Sequence, residues 1–312
     1  MKGPLKLNFS LRPGIVIWYL LCGYFCINMG NASPSFSNED SHSENPYNYD
    51  LAYVLNLDRA PKRYCTVKKV LDRHHLRHKR FSAIDGYKVR LIPLSGGKVI
   101  SGSDLSDGTE KLIPNEKYRV LCTENQKQQK YPLYFTYDEK LYPNPTSAGE
   151  LGCLCSHFLI WQDVADNNYN AVLVLEDDLV SLSENFQQFI NQVIKDLPQE
   201  SFVHLSLVHP SAYEKDDWLT LECKLGGDLK LCKVLSSTRA LGTFAYIINS
   251  KMAKKLLKSA DFHGPVDVTL LNKATSQEIS IYAAFPFPLH IENDYNQSII
   301  AHMSLESQRG AL

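Results

Sequence analysis

Ala171-Val-Leu-Val-Leu-Glu-Asp-Asp-Leu179 decides the fold. Five consecutive apolar residues, Ala171 to Leu175, predict a strand covered on both faces, because a half-exposed strand would alternate apolar and polar residues. Three carboxylates follow at once: Glu176, Asp177 and Asp178. A strand of this kind suits a parallel sheet flanked by helices, and in such sheets ligands collect beyond the carboxyl ends of the strands. The triplet therefore falls at the usual place of chemistry. Clustered like charges need a counter-ion, and hard oxygen ligands point to Mg²⁺ or Mn²⁺, with water and substrate phosphates completing the shell. The alternative is that Asp178 caps a following helix while Glu176 and Asp177 are solvated.

Working outward, Leu151, Leu154, Cys155, Phe158, Leu159, Gln162 and Ala165 recur at a period near 3.6 and predict a helix over Glu150 to Ala165. Asp166 to Asn170 then turn the chain into the buried strand. Nearer the start, Leu51 to Leu57 reads as a strand and Asp58 as the cap of a helix carrying Val67, Val70 and Leu71. Arg80 to Ile84 is the next strand, so the domain opens as a βαβ unit. Between Asp85 and Gly149 the pattern dissolves into Gly, Pro, Lys and Tyr, which reads as a long excursion or lid. Beyond the triplet, Phe202 to Val208 and Ala245 to Ile248 are strands, and Asn249-Ser250 starts a helix burying Met252, Ala253, Leu256, Leu257 and Ala260.

The whole chain has 312 residues, 44% of them hydrophobic, with 33 Lys plus Arg against 34 Asp plus Glu. A formal charge of -1 excludes a polybasic footprint, so no nucleic-acid partner is expected. Lys2, Lys6 and Arg12 precede an uncharged run from Pro13 to Asn31, and small residues close it at Gly30-Asn31-Ala32. Residues 1–32 thus read as a signal peptide or as an uncleaved signal anchor giving membrane association, with a buried core helix as the remaining reading. Residues 33–49 read as a flexible stem, 50–302 as the catalytic domain and 303–312 as a tail. The expected location is the secretory lumen (endoplasmic reticulum or Golgi) or outside the cell; the alternative is a membrane-associated bacterial enzyme.

Eight cysteines suit an oxidising compartment, and their spacing contains no zinc-type pair of C-x-x-C knuckles. A two-residue turn at Gly227-Asp228 would place Cys223 opposite Cys232, as a disulfide or as two buried thiols. Sequons stand at Asn31 and Asn296.

Five blocks, in order, carry a resemblance: Tyr53-Val-Leu-Asn-Leu-Asp-Arg-Ala-Pro-Lys-Arg63; Phe81-Ser-Ala-Ile-Asp-Gly86; Gly149-Glu-Leu-Gly-Cys-Leu-Cys-Ser-His157; Leu175-Glu-Asp-Asp178; and Gly242-Thr-Phe-Ala-Tyr246 with Pro265-Val-Asp267. Together they resemble glycosyltransferase family 25, which includes bacterial lipooligosaccharide galactosyltransferases and animal collagen-hydroxylysine galactosyltransferases. Cys155 stands where an aliphatic residue is more usual.

The resemblance implies an α/β fold of GT-A type, a nucleotide-binding sandwich with a mostly parallel central sheet. It implies a UDP-sugar donor and a divalent cation, Mn²⁺ or Mg²⁺, at Glu176, Asp177 and Asp178. Asn56, Arg59, Arg63 and Asp85 are the implied donor contacts. Guanidinium groups at 59 and 63 match phosphate oxygens two at a time, although both could equally be helix-surface charges. An inverting displacement needs a carboxylate to take the acceptor's proton, and Asp267 and Glu150 are the candidates, with turn or cap formation as their plainer roles. His157 reads as a packing histidine with its hydrogen bonds satisfied, the alternative being a ligand. The expected reaction moves a hexose, galactose first, to a hydroxyl on a glycan or on protein hydroxylysine. The alternatives are an inactive family member acting as a binding or adhesion protein, and a nucleotidyltransferase. The latter would want a Gly-rich phosphate loop that Asn56-Leu-Asp-Arg-Ala-Pro61 lacks.

Overall fold

A computed structural model describes residues 46–122, 129–140, 146–206, 223–226, 229–234, 242–285 and 287–291. The N-terminal segment 1–32, the 303–312 tail, both sequons and the Gly227-Asp228 turn lie outside them. The stem was expected to run to residue 49, but the packed structure already includes Pro46 to Tyr49. Tyr47 and Tyr49 are buried, and their hydroxyls donate to the carbonyls of His74 and Arg77, each at 2.8 Å.

Strand β1 (Leu51–Asn56), helix α1 (Pro61–Arg73) and strand β2 (Lys79–Ser82) form the predicted βαβ unit, with β1 and β2 parallel. Pro61 starts α1 at a position where no amide hydrogen is needed, and Ala60 is its N-cap. Asp58 does not cap the helix as expected. Its carboxylate accepts instead from Arg80 and Ser82 at 2.7 and 2.8 Å, because two side-chain donors on β2 face it across the turn.

The stretch expected as a patternless excursion is a second sheet. Strands β3 (Arg90–Pro93) and β4 (Ile100–Ser101), the short helix α2 (Gly102–Ser106), and strands β5 (Lys117–Leu121) and β6 (Leu133–Thr136) follow one another. β4-β3-β5-β6 are antiparallel neighbours. One face of this sheet buries Leu91, Tyr118, Val120, Leu133 and Phe135.

Helix α3 (Ala148–Asp166) packs into the same core cluster as that sheet, and it opens with a capping box. Ser147 Oγ accepts from the Glu150 amide, and the Glu150 carboxylate accepts from the Ser147 amide at 2.7 Å. The predicted apolar stripe is buried, and so are Ser156, His157, Ile160, Trp161 and Val164 on its other sides. A helix buried nearly all round must satisfy its polar side chains internally.

Next come β7 (Val172–Glu176), β8 (Leu179–Leu182), α4 (Phe186–Lys195), β9 (Phe202–His204), β10 (Cys223–Gly226), β11 (Leu229–Lys233), β12 (Ala245–Ile248) and α5 (Ser250–Lys258). They are followed by β13 (Asp261–Phe262), α6 (Val266–Thr275), β14 (Ile281–Phe285) and β15 (Leu289–Ile291). Among the described residues the main sheet has eight strands, in the order β10-β11-β14-β9-β12-β7-β1-β2, and β13 joins the second sheet beside β6. On β7, Val172 and Val174 enter the core shared with α3, while Leu173 and Leu175 enter the core shared with α1 and α4. This two-sided cover is what the apolar run predicted.

The main sheet is mixed, not mostly parallel. β1 pairs in parallel with β2 and β7, and β9 with β14, whereas β12 runs antiparallel to both β7 and β9, and β11 to both β14 and β10. A run of apolar residues reports cover on two faces and says nothing of strand direction; antiparallel β12 is as fully buried as β7. Cys223 stands opposite Cys232 in the register that a two-residue turn requires. Among the described residues no helix is long and apolar enough to cross a membrane.

Candidate active site

Glu176 ends β7, and Asp177 and Asp178 form the turn into β8. Since β8 is a strand, the reading of Asp178 as a helix cap falls. The three carboxyls have distinct surroundings. Asp177 is engaged on both oxygens, one accepting from Asn56 Nδ2 at 2.6 Å and the other pairing with Arg63 at 2.6 Å. Burial pushes its carboxyl above the ordinary range, against the pull of Arg63 and Asn56. Asp178 has a buried Oδ1 with no hydrogen-bond partner among the described residues. Burial, and after it the charge of Glu176, pushes the Asp178 carboxyl well up.

Glu176 accepts on Oε1 from Thr243 Oγ1 at 2.7 Å, and His157 Nε2 lies 3.2 Å from the same oxygen. Burial opposes its charge, but the bonds from His157 and Thr243 and the nearby Arg63 bring its carboxyl below the ordinary range. His157, expected to be a packing residue, is fully buried and partnered on both nitrogens, with Nδ1 2.8 Å from the Tyr246 hydroxyl. Trp161 Nε1 donates to that hydroxyl at 3.1 Å. Thr243, Tyr246 and Trp161 were not singled out from sequence. The signal available was two hydroxyl residues in the Gly242-Thr-Phe-Ala-Tyr246 block, at the entry to a strand otherwise apolar.

The four implied donor contacts divide into two pairs. Asn56 is an internal brace at the end of β1: it donates to Ala60 O and Asp177 and accepts from Arg80 Nε at 2.9 Å. Arg63 backs Asp177. Arg59 and Asp85 form an ion pair and line a cavity of about 710 Å³ beside the carboxyl ends of β1 and β2. Leu57, Asp58, Phe81, Ser82, Lys88 and Asp163 also line it. This volume is in the range of small-molecule sites.

The two base candidates are both anchored to backbone. Glu150 is the acidic member of the capping box at the start of α3. Asp267 is half-buried at the start of α6 and accepts from the Gly242 amide at 2.8 Å and the Val268 amide at 2.9 Å. Gly242 has φ of 104°, a conformation that glycine tolerates best, so Asp267 fixes the turn that presents Thr243. Burial pushes the Asp267 carboxyl up, against those amide bonds. Cys153 lies between these groups; burial, then the charges of Glu176, Asp267 and Glu150, pushes its thiol well up.

Could the triplet hold a divalent cation? The donor chemistry fits. Among the described residues, Asp178 offers a buried oxygen without a partner, and the hydrogen bonds to Glu176 fall on Oε1, leaving Oε2. Both are hard oxygen donors, and Asp177, its two oxygens occupied, serves as their brace.

Fold and site together define an α/β domain whose central strand ends in a braced carboxylate cluster, with a cavity one strand away. The chain belongs to glycosyltransferase family 25: residues 50–270 match the profile described as "Glycosyltransferase family 25 (LPS biosynthesis protein)". It is 26% identical over 210 residues to a "Glycosyltransferase 25 family member" of Aedes aegypti, covering 66% of this chain and 27% of that protein. It is 22% identical to "Procollagen galactosyltransferase 1" of Danio rerio, covering 68% and 29%. Over 111 residues it is 30% identical to "Lipooligosaccharide biosynthesis protein lex-1" of Haemophilus influenzae, covering 35% and 36%. The matched region is thus about a third or less of the two animal relatives.

Proposed function

We propose that this domain is a hexosyltransferase of GT-A type that moves galactose from UDP to a hydroxyl acceptor, with Mn²⁺ or Mg²⁺ bound by Glu176 and Asp178. The observation that carries it is the asymmetry of the triplet: Asp177 saturated by Asn56 and Arg63, Asp178 with an orphaned buried oxygen. An arrangement made only to cap or to solvate would not brace one carboxylate and leave its neighbour unpaired in the interior. Family membership and the names of the relatives support galactose and a glycan or collagen-type acceptor.

When bound, the cation neutralises the diphosphate as it leaves, the Lewis-acid role of metal catalysis. The cavity at the ends of β1 and β2 takes the nucleoside, and Arg59 swings from Asp85 to the phosphates, to which its planar fork is suited. Arg63 pairs with Asp177, opposing the effect of its burial, and adds positive potential at the strand end. Asp267 takes the acceptor proton: burial has raised its basicity, and two backbone amides fix its aim. Glu150 serves the fold, starting α3 through its capping box.

The test is release of UDP from a panel of UDP-sugars by the purified protein, with and without Mn²⁺. Metal-stimulated release, greatest with UDP-galactose, is expected. Absence of release from every donor, with the protein folded, would favour the binding-protein reading instead.

A further inference from the structure

A buried chain of polar side chains runs from Trp161 to Glu176, and its protons can be counted. We infer that Trp161, Tyr246, His157 and Thr243 are positioning residues: they place the imidazole proton on His157 Nε2, pin Glu176 by Oε1 and leave Oε2 for the cation. The inference rests on the reading of Glu176 as a ligand.

The count starts at the indole. A tryptophan N–H only donates, so the Tyr246 oxygen accepts at 3.1 Å. Tyr246 is fully buried, and its one hydroxyl proton needs an acceptor. His157 Nδ1 is at 2.8 Å and takes it, so Nδ1 carries the lone pair and the ring bears its proton on Nε2. That N–H points at Glu176 Oε1, 3.2 Å away, where Thr243 Oγ1 brings a second donor at 2.7 Å. The opposite tautomer would strand the Tyr246 proton in the core. Ring packing keeps the chain in place: Tyr246 stacks on Phe202 at 4.2 Å between centroids, and Trp161 on Phe262 at 6.0 Å.

The same count decides a competing use of these atoms. Ligand atoms of Cys153, His157 and Glu176 lie within 4.8 Å of one another, a spacing that suits a soft cation. A proton on Nε2 occupies the lone pair that such a cation needs, so the group orders a carboxylate and is not itself a metal centre.

The experiment uses the full chain and Mn²⁺ as probe, with bound metal read from loss of the free-ion electron paramagnetic resonance signal and no donor present. Thr243→Val and His157→Ala should weaken Mn²⁺ binding about 10- to 100-fold, the usual effect of removing a group that orients a ligand. His157→Gln, whose amide N–H reaches the Nε2 position, should recover most of the affinity, and His157→Phe should not. Nitrogen NMR should show Nε2 protonated in the parent protein and a tautomer mixture in Tyr246→Phe. A packing role makes the opposite demand, with Phe tolerated and Mn²⁺ affinity unmoved. If His157→Ala does not fold, Thr243→Val decides: affinity equal to the parent overturns the inference. Asp178→Asn separates the two readings. If it loses Mn²⁺ while the Thr243 and His157 variants keep it, only the positioning inference fails; if neither it nor the parent binds, or both bind alike, the cation site fails and takes the inference with it.

Discussion

Asp177 and Asp178 are chemically identical neighbours, and their surroundings give them opposite work. Asp177 is a filled acceptor, held by Asn56 and Arg63, so its replacement disturbs the brace before it disturbs any ligand. Asp178 is the reverse case. Asp178→Asn removes a disfavoured buried charge while keeping the shape, so the melting temperature should hold or rise. On the proposed reading UDP release should fall by at least about a hundredfold, since loss of a cation ligand costs a few kcal/mol of transition-state stabilisation and each 1.4 kcal/mol is tenfold. A Mn²⁺ titration of UDP release beside a thermal melt checks both; unchanged release would remove Asp178 from the site. His204, on β9, makes a different residue-scale prediction. It is buried, its Nδ1 has no partner among the described residues, and burial alone pushes its pKa down to about 3 from 6.5. Below about pH 6.5 the unfolded chain takes up a proton that the folded chain refuses. The His204 contribution to stability should therefore fall as pH drops from about 6.5 toward 3, by on the order of 1 kcal/mol per pH unit, and be flat above that window, whereas the buried carboxyls of Asp177, Asp178 and Asp267, held above the ordinary range, act in the opposite sense. Asp58 and Asp166 carry depressed pKa values, so their contributions persist until the pH nears the ordinary carboxylate range and do not obscure the effect at pH 5. Urea midpoints at pH 5 and 7.5 in the parent and in His204→Phe isolate the histidine: relative to the parent, the variant should gain more stability at pH 5 than at pH 7.5, and an equal difference at both pH values would show that His204 takes no part.

At the scale of elements, the glycines of the family blocks have a steric reason. A Cβ on Gly86 would sit 1.6 Å from the Ala148 carbonyl oxygen, and one on Gly152 would sit 2.7 Å from Ile84 O. The single turn Gly86–Lys88 is thus laid backbone-to-backbone on the start of α3, and Ser156 Oγ accepts there from the Ile84 amide at 2.8 Å. Gly86→Ala must push the two apart, at a cost of about 3 kcal/mol, the upper end for overpacking. A drop in melting temperature should accompany it, with weaker donor binding because Asp85 moves with the turn. An Ala variant as stable as the parent would show that the contact yields. Glycine identity was legible in the sequence, but its purpose was not, since close approach is a property of two segments 66 residues apart. The same limit explains the second sheet. β5 does alternate, with Tyr118 and Val120 buried and Arg119 exposed, yet five residues among Lys, Pro and Gly are too few to separate from a loop. By contrast α3, β7 and α5 were legible because α3 is long, β7 is uniformly apolar, and α5 sets Met252, Ala253, Leu256 and Leu257 at helical spacing behind a cap: Asn249 accepts from the Met252 amide at 2.9 Å, as expected. The triplet was readable as a cluster of charge. The division of labour within it was not, because Thr243, Tyr246 and Arg63 reach it from other strands and helices.

For the molecule as a whole, the two sheets meet on α3, and the site lies where the helix, the end of β7 and the Gly242 turn converge. Its geometry depends on how firmly β7 and β1 are seated, and the chain just ahead of β1 contributes to that. Tyr47 and Tyr49 belong to the core beneath α1 and α4, with rings 5.3 Å apart. Asn191 and Gln187 of α4 donate to Pro46 O at 2.9 and 2.8 Å. Asp50 accepts from the amides of Asn170 and Ala171, at 2.5 and 3.0 Å, at the entry to β7. A chain beginning at Asn45 keeps every one of these contacts and should melt as the full chain does, with equal UDP release. A chain beginning at Leu51 lacks two buried tyrosines, and since deleting one large aromatic side chain from a core costs about 3–5 kcal/mol, the loss approaches the whole stability of an ordinary domain. It should be largely unfolded or recovered only as aggregate. Equal melting temperatures for the two would mean that residues 46–50 are decoration on a core complete without them, and the domain would then begin at β1, as the sequence pattern alone had placed it.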